Sequence, residues 1–133
     1  MPLPPTSPRI LIFCGALLLA LGVAAGAFGA HGLRHLVVPE LLETWRTAAQ
    51  YQMLHGLGLL LLAVLWPQLA QSCARWAGRL MLVGVLIFSG SLYLLVLTGT
   101  RVLGAITPIG GMLMISAWAL IAWAAWRGRP PAQ

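Results

Sequence analysis

The chain has 133 residues, of which 60% are hydrophobic and only 8% are charged, whereas soluble proteins carry about 25% charged residues. This composition excludes a water-soluble globular domain, because too few polar side chains are present to cover its surface. The net charge of +6 comes from arginines scattered singly between apolar segments, so it indicates membrane topology and no nucleic-acid partner.

Four apolar segments are long enough to cross a membrane. A helix needs about 20 residues to cross a hydrocarbon core of about 30 Å, and it pairs internally the backbone groups that lipid cannot pair. The predicted spans are residues 10–30, 47–66, 80–100 and 102–126. The sequence therefore predicts an all-α integral membrane four-helix bundle, with one domain over residues 10–126 and proline-rich, disordered tails at 1–9 and 127–133.

The first span has an alternative interpretation as a cleaved signal peptide. Arg9 precedes its apolar run, and Ala25-Gly26-Ala27 provides small residues of the kind that a signal peptidase accepts. The run is longer than a typical signal-peptide core, and cleavage would leave an odd number of spans with a worse distribution of charge. We therefore expect the segment to remain as a membrane span.

The arginines predict the orientation of the bundle, because an even number of spans places both termini on one side. The arginines on that side are Arg9, Arg75, Arg79, Arg127 and Arg129. Those on the other side are Arg34, Arg46 and Arg101. The positive-inside rule then places both termini in the cytoplasm. Cys14 and Cys73 fall toward this reducing side, so we expect no structural disulfide.

Residues 37–50, VVPELLETWRTAAQ, predict a short amphipathic helix between the first two spans. Pro39 suits a first helical turn, and Glu40 and Glu43 favour its positive end. The apolar residues that share one face are Val38, Leu41, Leu42 and Trp45. We expect this helix to lie in the interface on the outer side of the membrane, with direct continuation into the second span as the alternative.

Polar side chains concentrate in the outer half of the predicted bundle. The candidate pocket residues there are His31, His35, Tyr51, Gln52, His55, Ser91, Tyr93 and Thr107. Tyr51 and His55 are one helical turn apart and therefore share a face of the second helix. Because an unpaired histidine is costly inside hydrocarbon, we expect His55 to point into the bundle and to pair with Tyr93 or Ser91.

Small residues predict where the helices pack closely. Gly15, Gly22 and Gly29 recur every seven residues, and Gly26 forms a GxxxG pair with Gly22, so Gly26→Leu is expected to disrupt the bundle. The remaining candidate packing residues are Gly90, Pro108, Gly110 and Gly111. The proline and the two glycines after it are expected to bend the fourth helix.

Three motifs occur in order along the chain: GAFGAHGL at 26–33, FSGSLYLL at 88–95 and LGAITPIGG at 103–111. With Tyr51-Gln52 and His55-Gly56-Leu57 between the first two, this pattern resembles a family of small bacterial inner-membrane proteins known as domain of unknown function 423. That family has relatives among small animal transmembrane proteins. The resemblance implies a four-span protein of the bacterial cytoplasmic (inner) membrane, and it implies no activity, cofactor or catalytic residue.

A metal or haem site is the first functional hypothesis, because His31, His35 and His55 are predicted at similar depth and imidazole is a common metal ligand. No carboxylate or thiolate lies at a matching spacing, and Gly32 favours a break in the helix that would pair the first two histidines. We therefore predict no metal site and no cofactor.

An enzyme and a transporter are the next hypotheses. Ser89 and Ser91 have no acid within their segment and no GxSxG elbow, so we predict that the protein is not an enzyme. A transport path needs polar groups through the whole membrane, whereas the inner half offers Gly84 and apolar side chains. We therefore expect no path through a single protomer, with a path formed by an oligomer as the alternative.

The function that remains is a structural or accessory one. We expect the protein to act through helix contacts within the lipid bilayer, with a membrane-protein partner or as a homo-oligomer. The alternative is binding of a lipid headgroup, a quinone or a metal in the polar pocket of the outer half.

Overall fold

The computed structural model describes residues 7–128, which form four long helices joined by short 3₁₀ turns. The long helices are α1 (Pro8–His31), α2 (Pro39–Leu65), α3 (Gln71–Thr98) and α4 (Thr107–Arg127). The turns are Leu33–His35, Trp66–Gln68 and Arg101–Ala105. All four helices are long and apolar enough to cross a membrane, which confirms the all-α fold and the number of candidate spans.

The bundle has two ends, which differ in the connections that they carry. The hairpin end carries the α1–α2 and α3–α4 connections, residues 32–38 and 99–106. The terminal end carries the first turn of α1, the α2–α3 connection at residues 66–70 and the last turn of α4. Of the predicted tails, residues 1–6 and 129–133 lie outside the described part of the chain, while Pro8 and Arg127 already belong to helices.

The predicted separate interfacial helix is not found, because its residues form the first turns of α2. The helix begins at Pro39 and continues without a break to Leu65. Pro39 suits the first turn because its missing N–H would have no partner there in any case, and Glu40 lies at the positive end of the helix. Of the predicted apolar face, Trp45 is buried and packs against Val96 of α3, whereas Val38 is exposed.

Two other boundaries differ from the predicted spans. Helix α3 begins at Gln71 rather than at residue 80, and α4 begins at Thr107 rather than at residue 102. Pro108 lies in the first turn of α4, so it begins that helix and does not bend it. Gly99 ends α3 with φ +70°, a left-handed conformation that favours glycine, and its N–H donates to the carbonyl of Leu95 at 2.8 Å.

The helices pack in chain order, with α1 against α2, α2 against α3, and α3 against α4. Helix α2 is the most enclosed: half of its apolar 18-residue segment is buried, compared with 22% of the corresponding segment in each of α1 and α4. Met81 and Val85 of α3 pack with Leu59 of α2 and Met114 of α4 in the main core. Helices α2 and α3 therefore supply most of the buried apolar residues, and α1 and α4 have broad exposed apolar faces.

Glycines allow close backbone contact within each helical hairpin. A Cβ added to Gly15 of α1 would lie 2.7 Å from the carbonyl oxygen of Gly56 in α2. A Cβ added to Gly110 of α4 would lie 2.6 Å from the carbonyl oxygen of Gly84 in α3. Backbone atoms cannot move aside as a flexible side chain can, so a larger residue would separate the helices.

The rest of the predicted packing set divides into two groups. A Cβ added to Gly22 would lie 2.5 Å from Met53 Cγ, and one added to Gly29 would lie 2.7 Å from Trp45 Cδ1. In contrast, no atom of the described residues outside the local helix backbone lies within 4 Å of a Cβ placed on Gly26 or Gly90.

The expectation that a side chain at Gly26 meets a neighbouring helix is therefore wrong, as is the assignment of Gly90 to a close contact. Gly26 lies about 40° around the helix from Gly22, whereas Gly29 returns to within about 20° of it. A Cβ on Gly111 would make only ordinary contact, at 3.9 Å from Phe88 Cδ2.

We predict that Gly110→Ala lowers the free energy of unfolding by about 1–3 kcal/mol through overpacking. Gly26→Ala, the matched control on an open helix face, is expected to leave stability unchanged or raise it by up to about 1 kcal/mol, because alanine favours helix. Denaturant titration of the detergent-solubilised protein measures both values. Equal losses in the two variants would contradict the assignment of the close contact to Gly110.

Candidate functional site

Gln52 of α2 is hydrogen-bonded to both neighbouring helices. Its side chain is buried, with 6% exposure, and its Nε2 donates to the carbonyl oxygen of Leu18 in α1 at 2.9 Å. Its Oε1 accepts a hydrogen bond from the Tyr93 hydroxyl of α3 at 2.8 Å. The two ends of one amide therefore connect α1, α2 and α3 within the apolar interior.

His55, one turn further along α2, pairs with α4. The Trp118 indole N–H donates to His55 Nε2 at 3.2 Å, and His55 Nδ1 lies 2.8 Å from the carbonyl oxygen of Tyr51. Because an indole N–H can only donate, Nε2 accepts, and the ring hydrogen is assigned to Nδ1, which donates to the carbonyl. Both nitrogens of a neutral imidazole are thereby paired.

The predicted partners of His55 were wrong, since Tyr93 pairs with Gln52 and the Ser91 hydroxyl lies 2.6 Å from that of Thr107. Trp118 was not among the predicted site residues. Its position in the middle of a span could have indicated it, because an indole N–H within a membrane needs a hydrogen-bond acceptor. Gly58 makes room for this ring, since a Cβ there would lie 3.0 Å from Trp118 Cζ2.

The serines and Trp45 also hydrogen-bond across helix contacts. Ser89 of α3 donates to the carbonyl oxygen of Ala48 in α2 at 2.8 Å. The hydroxyls of Ser91 and Thr107 connect α3 to the start of α4. Trp45 Nε1 donates to the carbonyl oxygen of Ala25 at 2.8 Å, which connects α2 to α1.

We call the buried group that makes these contacts the polar cluster; its members are Gln52, His55, Ser89, Ser91, Tyr93 and Thr107. Every buried side-chain nitrogen or oxygen in residues 7–128 has a hydrogen-bond partner. Tyr51 is 41% exposed and stacks on His55, with 5.9 Å between ring centroids, so it covers the histidine from outside.

His31 and His35 do not join the polar cluster. Both are exposed at the hairpin end, and His35 Nε2 accepts a hydrogen bond from Arg34 Nε at 3.1 Å. The structure therefore separates the histidines that the sequence analysis grouped with His55. Within the described part of the chain, no three His, Cys, Asp or Glu residues are placed to hold a metal ion.

A groove of 180 Å³ lies beside the polar cluster, between α1 and α3 over Gln52 of α2. Its walls include Leu21, Leu86 and the open face of Gly90. This volume is below the about 300–1,000 Å³ of ordinary ligand pockets. Ser89, which lines this groove, donates its hydroxyl hydrogen to the main-chain carbonyl of Ala48 and so connects α3 to α2.

We predict that Gln52→Leu lowers the free energy of unfolding by about 1–3 kcal/mol, because it leaves the half-buried Tyr93 hydroxyl without its acceptor and the Leu18 carbonyl without its side-chain donor. Gln50→Leu is the matched control, since Gln50 is exposed on the same helix and the change of side chain is identical. Unfolding of both variants in detergent micelles measures the difference. Equal stability of the two variants would contradict the conclusion that the Gln52 hydrogen bonds stabilise the packing of α1, α2 and α3.

The family described as "Protein of unknown function (DUF423)" matches residues 25–111. A UPF0382 membrane protein of Staphylococcus haemolyticus is 46% identical over 113 residues, which cover 85% of this chain and 92% of the relative. The UPF0382 membrane protein YwdK of Bacillus subtilis is 44% identical over 118 residues, 88% of this chain and 96% of the relative.

No solved structure matches the chain. The family match covers every member of the polar cluster and the contact between Gly84 and Gly110, whereas Gly15 and Gly22 precede it. Both relatives carry the description of membrane protein, in agreement with the four apolar helices. The chain therefore belongs to the DUF423 family of membrane proteins, whose function is uncharacterised.

Proposed function

We propose that this protein is a structural or accessory component of the bacterial cytoplasmic membrane, acting through contacts of its helices with a second protein chain. The observation that carries the proposal is the use of the polar cluster for interhelical hydrogen bonds. The Gln52 amide forms hydrogen bonds to α1 and to α3, and both ring nitrogens of His55 form hydrogen bonds within the bundle.

Ligand binding at the polar cluster would disturb this arrangement. A pocket usually presents a few convergent polar groups to its ligand. Here a ligand that engaged Gln52 or His55 would first have to break an interhelical hydrogen bond. Such a bond in a membrane is worth on average about 0.6 kcal/mol, but breaking it also leaves a buried partner unpaired.

The first and last helices, α1 and α4, provide the surface for contact with another chain. Phe13 and Val23 of α1 are 68% and 63% exposed, and Met112 and Ile115 of α4 are 63% and 64% exposed. Lipid covers such side chains without cost, and helices associate there through close packing. The partner is a second copy or another membrane protein.

The proposed orientation places both termini in the cytoplasm. Arg9, Arg75, Arg79 and Arg127 belong to helical turns near the terminal end, and the positive-inside rule favours this end for the cytoplasm. Arg34 and Arg101 lie in the connections of the hairpin end, and Arg46 and both acidic residues of the sequence lie in the first turns of α2 next to it.

We predict that a green fluorescent protein fused to the C-terminus is fluorescent in cells, because that fold matures in the cytoplasm. Alkaline phosphatase inserted in the connection at residues 99–106 is expected to be active, because it matures outside the cytoplasm. Activity of the phosphatase at the C-terminus instead would reverse the proposed orientation.

Native mass spectrometry of the protein released gently from its own membrane tests the accessory function. We expect a complex with a second protein chain and no bound small molecule that depends on His55. The comparison is between His55→Ala and His31→Ala, since the second histidine is exposed and outside the polar cluster.

A discrete small mass that is present with His31→Ala and absent with His55→Ala would support the alternative function instead. The alternative is binding of a lipid headgroup, a quinone or a metal at the polar cluster. A bare protomer in every spectrum would contradict the accessory function.

A further inference from the structure

A larger cavity lies at the terminal end, between the first turn of α3 and the last turn of α4. It has a volume of 360 Å³ and is lined by Ala70, Cys73, Trp123, Ala124, Arg127 and Gly128. This volume falls within the about 300–1,000 Å³ of ligand pockets. Because two candidate membrane spans begin and end here, the cavity lies at the depth of the lipid headgroups.

Arg127 is the charged residue of this cavity, and the remaining lining residues are apolar or small. Its guanidinium lies over the Trp123 ring, 4.8 Å from the ring centroid, a distance at which cation and ring attract each other. The cation is therefore held against an apolar wall. A ligand that suits this cavity carries a negative group next to hydrocarbon.

The surrounding charges also favour an anion. Arg75 and Arg79 lie in the first turns of α3, and Arg9 lies in the first turn of α1, at the same end of the bundle. The sequence contains two acidic residues, Glu40 and Glu43, and both lie in the first turns of α2 at the hairpin end. Within residues 7–128, an anion at the terminal end therefore meets cations without a competing carboxylate side chain.

We propose that the cavity binds the headgroup phosphate of an anionic phospholipid from the surrounding leaflet, with Arg127 as the phosphate ligand. A guanidinium donates paired hydrogen bonds to phosphate oxygens. The walls formed by Trp123, Ala124 and Cys73 suit the glycerol and upper acyl region of the same lipid. Basic pockets between membrane helices are a general form of anionic headgroup site.

Native mass spectrometry with added lipid tests the proposal, using the full chain in a neutral detergent. Phosphatidylglycerol is expected to bind in preference to phosphatidylcholine, which has a phosphate but no net charge. Arg127→Gln is expected to weaken phosphatidylglycerol binding about tenfold, as for loss of a charge-assisted hydrogen bond.

Two further variants separate this site from general charge attraction and from misfolding. Arg101→Gln removes the same charge at the hairpin end and is expected to leave binding unchanged. Ala70→Phe fills the cavity without a change of charge and is expected to weaken binding as Arg127→Gln does. Melting in detergent, followed by circular dichroism, verifies that each variant is folded.

Three results would overturn the proposal. One is an equal loss of binding in Arg127→Gln and Arg101→Gln, which would indicate attraction to the whole charged surface. Another is unchanged binding by folded Ala70→Phe. The third is displacement of phosphatidylglycerol by equimolar inorganic phosphate, which would make the cavity a site for a free anion.

Discussion

The requirement that every buried polar group find a partner inside the protein governs this structure, because lipid provides no donors or acceptors. Gln52 meets the requirement with a single side chain, since its amide pairs with a carbonyl of α1 and a hydroxyl of α3. Several acceptors are main-chain carbonyls of helices, such as those of Leu18 and Ala48. Each carbonyl oxygen has two lone pairs, so it can accept a side-chain donor in addition to its helical bond.

The glycine contacts bring such carbonyls within reach. Gly15 with Gly56, and Gly84 with Gly110, let paired backbones approach more closely than a Cβ would allow. At this separation short side chains span the gap, as the hydroxyls of Ser91 and Thr107 do between α3 and α4. Close packing and interhelical hydrogen bonding therefore depend on each other, and both are concentrated on the faces that α2 and α3 present to their neighbours.

The two ends of the bundle differ in chemistry. The polar cluster attaches the helices to one another in the half toward the hairpin end, through neutral groups that are paired. The terminal end presents arginines, and its cavity combines Arg127 with Trp123 in an apolar setting. An internal role suits the first arrangement and contact with lipid suits the second, since paired neutral groups have little left to offer a ligand.

The sequence by itself determined the class of protein, the number of spans and the residues whose polarity is costly in lipid, because these follow from hydrophobic length and from charge. It did not determine their partners. Trp118 of α4 reaches His55 although α2 and α4 are not packed as neighbours, because Gly58 leaves room for the indole ring, and Gly26 turns away from the contact that includes Gly22. Such pairings depend on helix rotation and on separation in three dimensions, which only the tertiary structure decides.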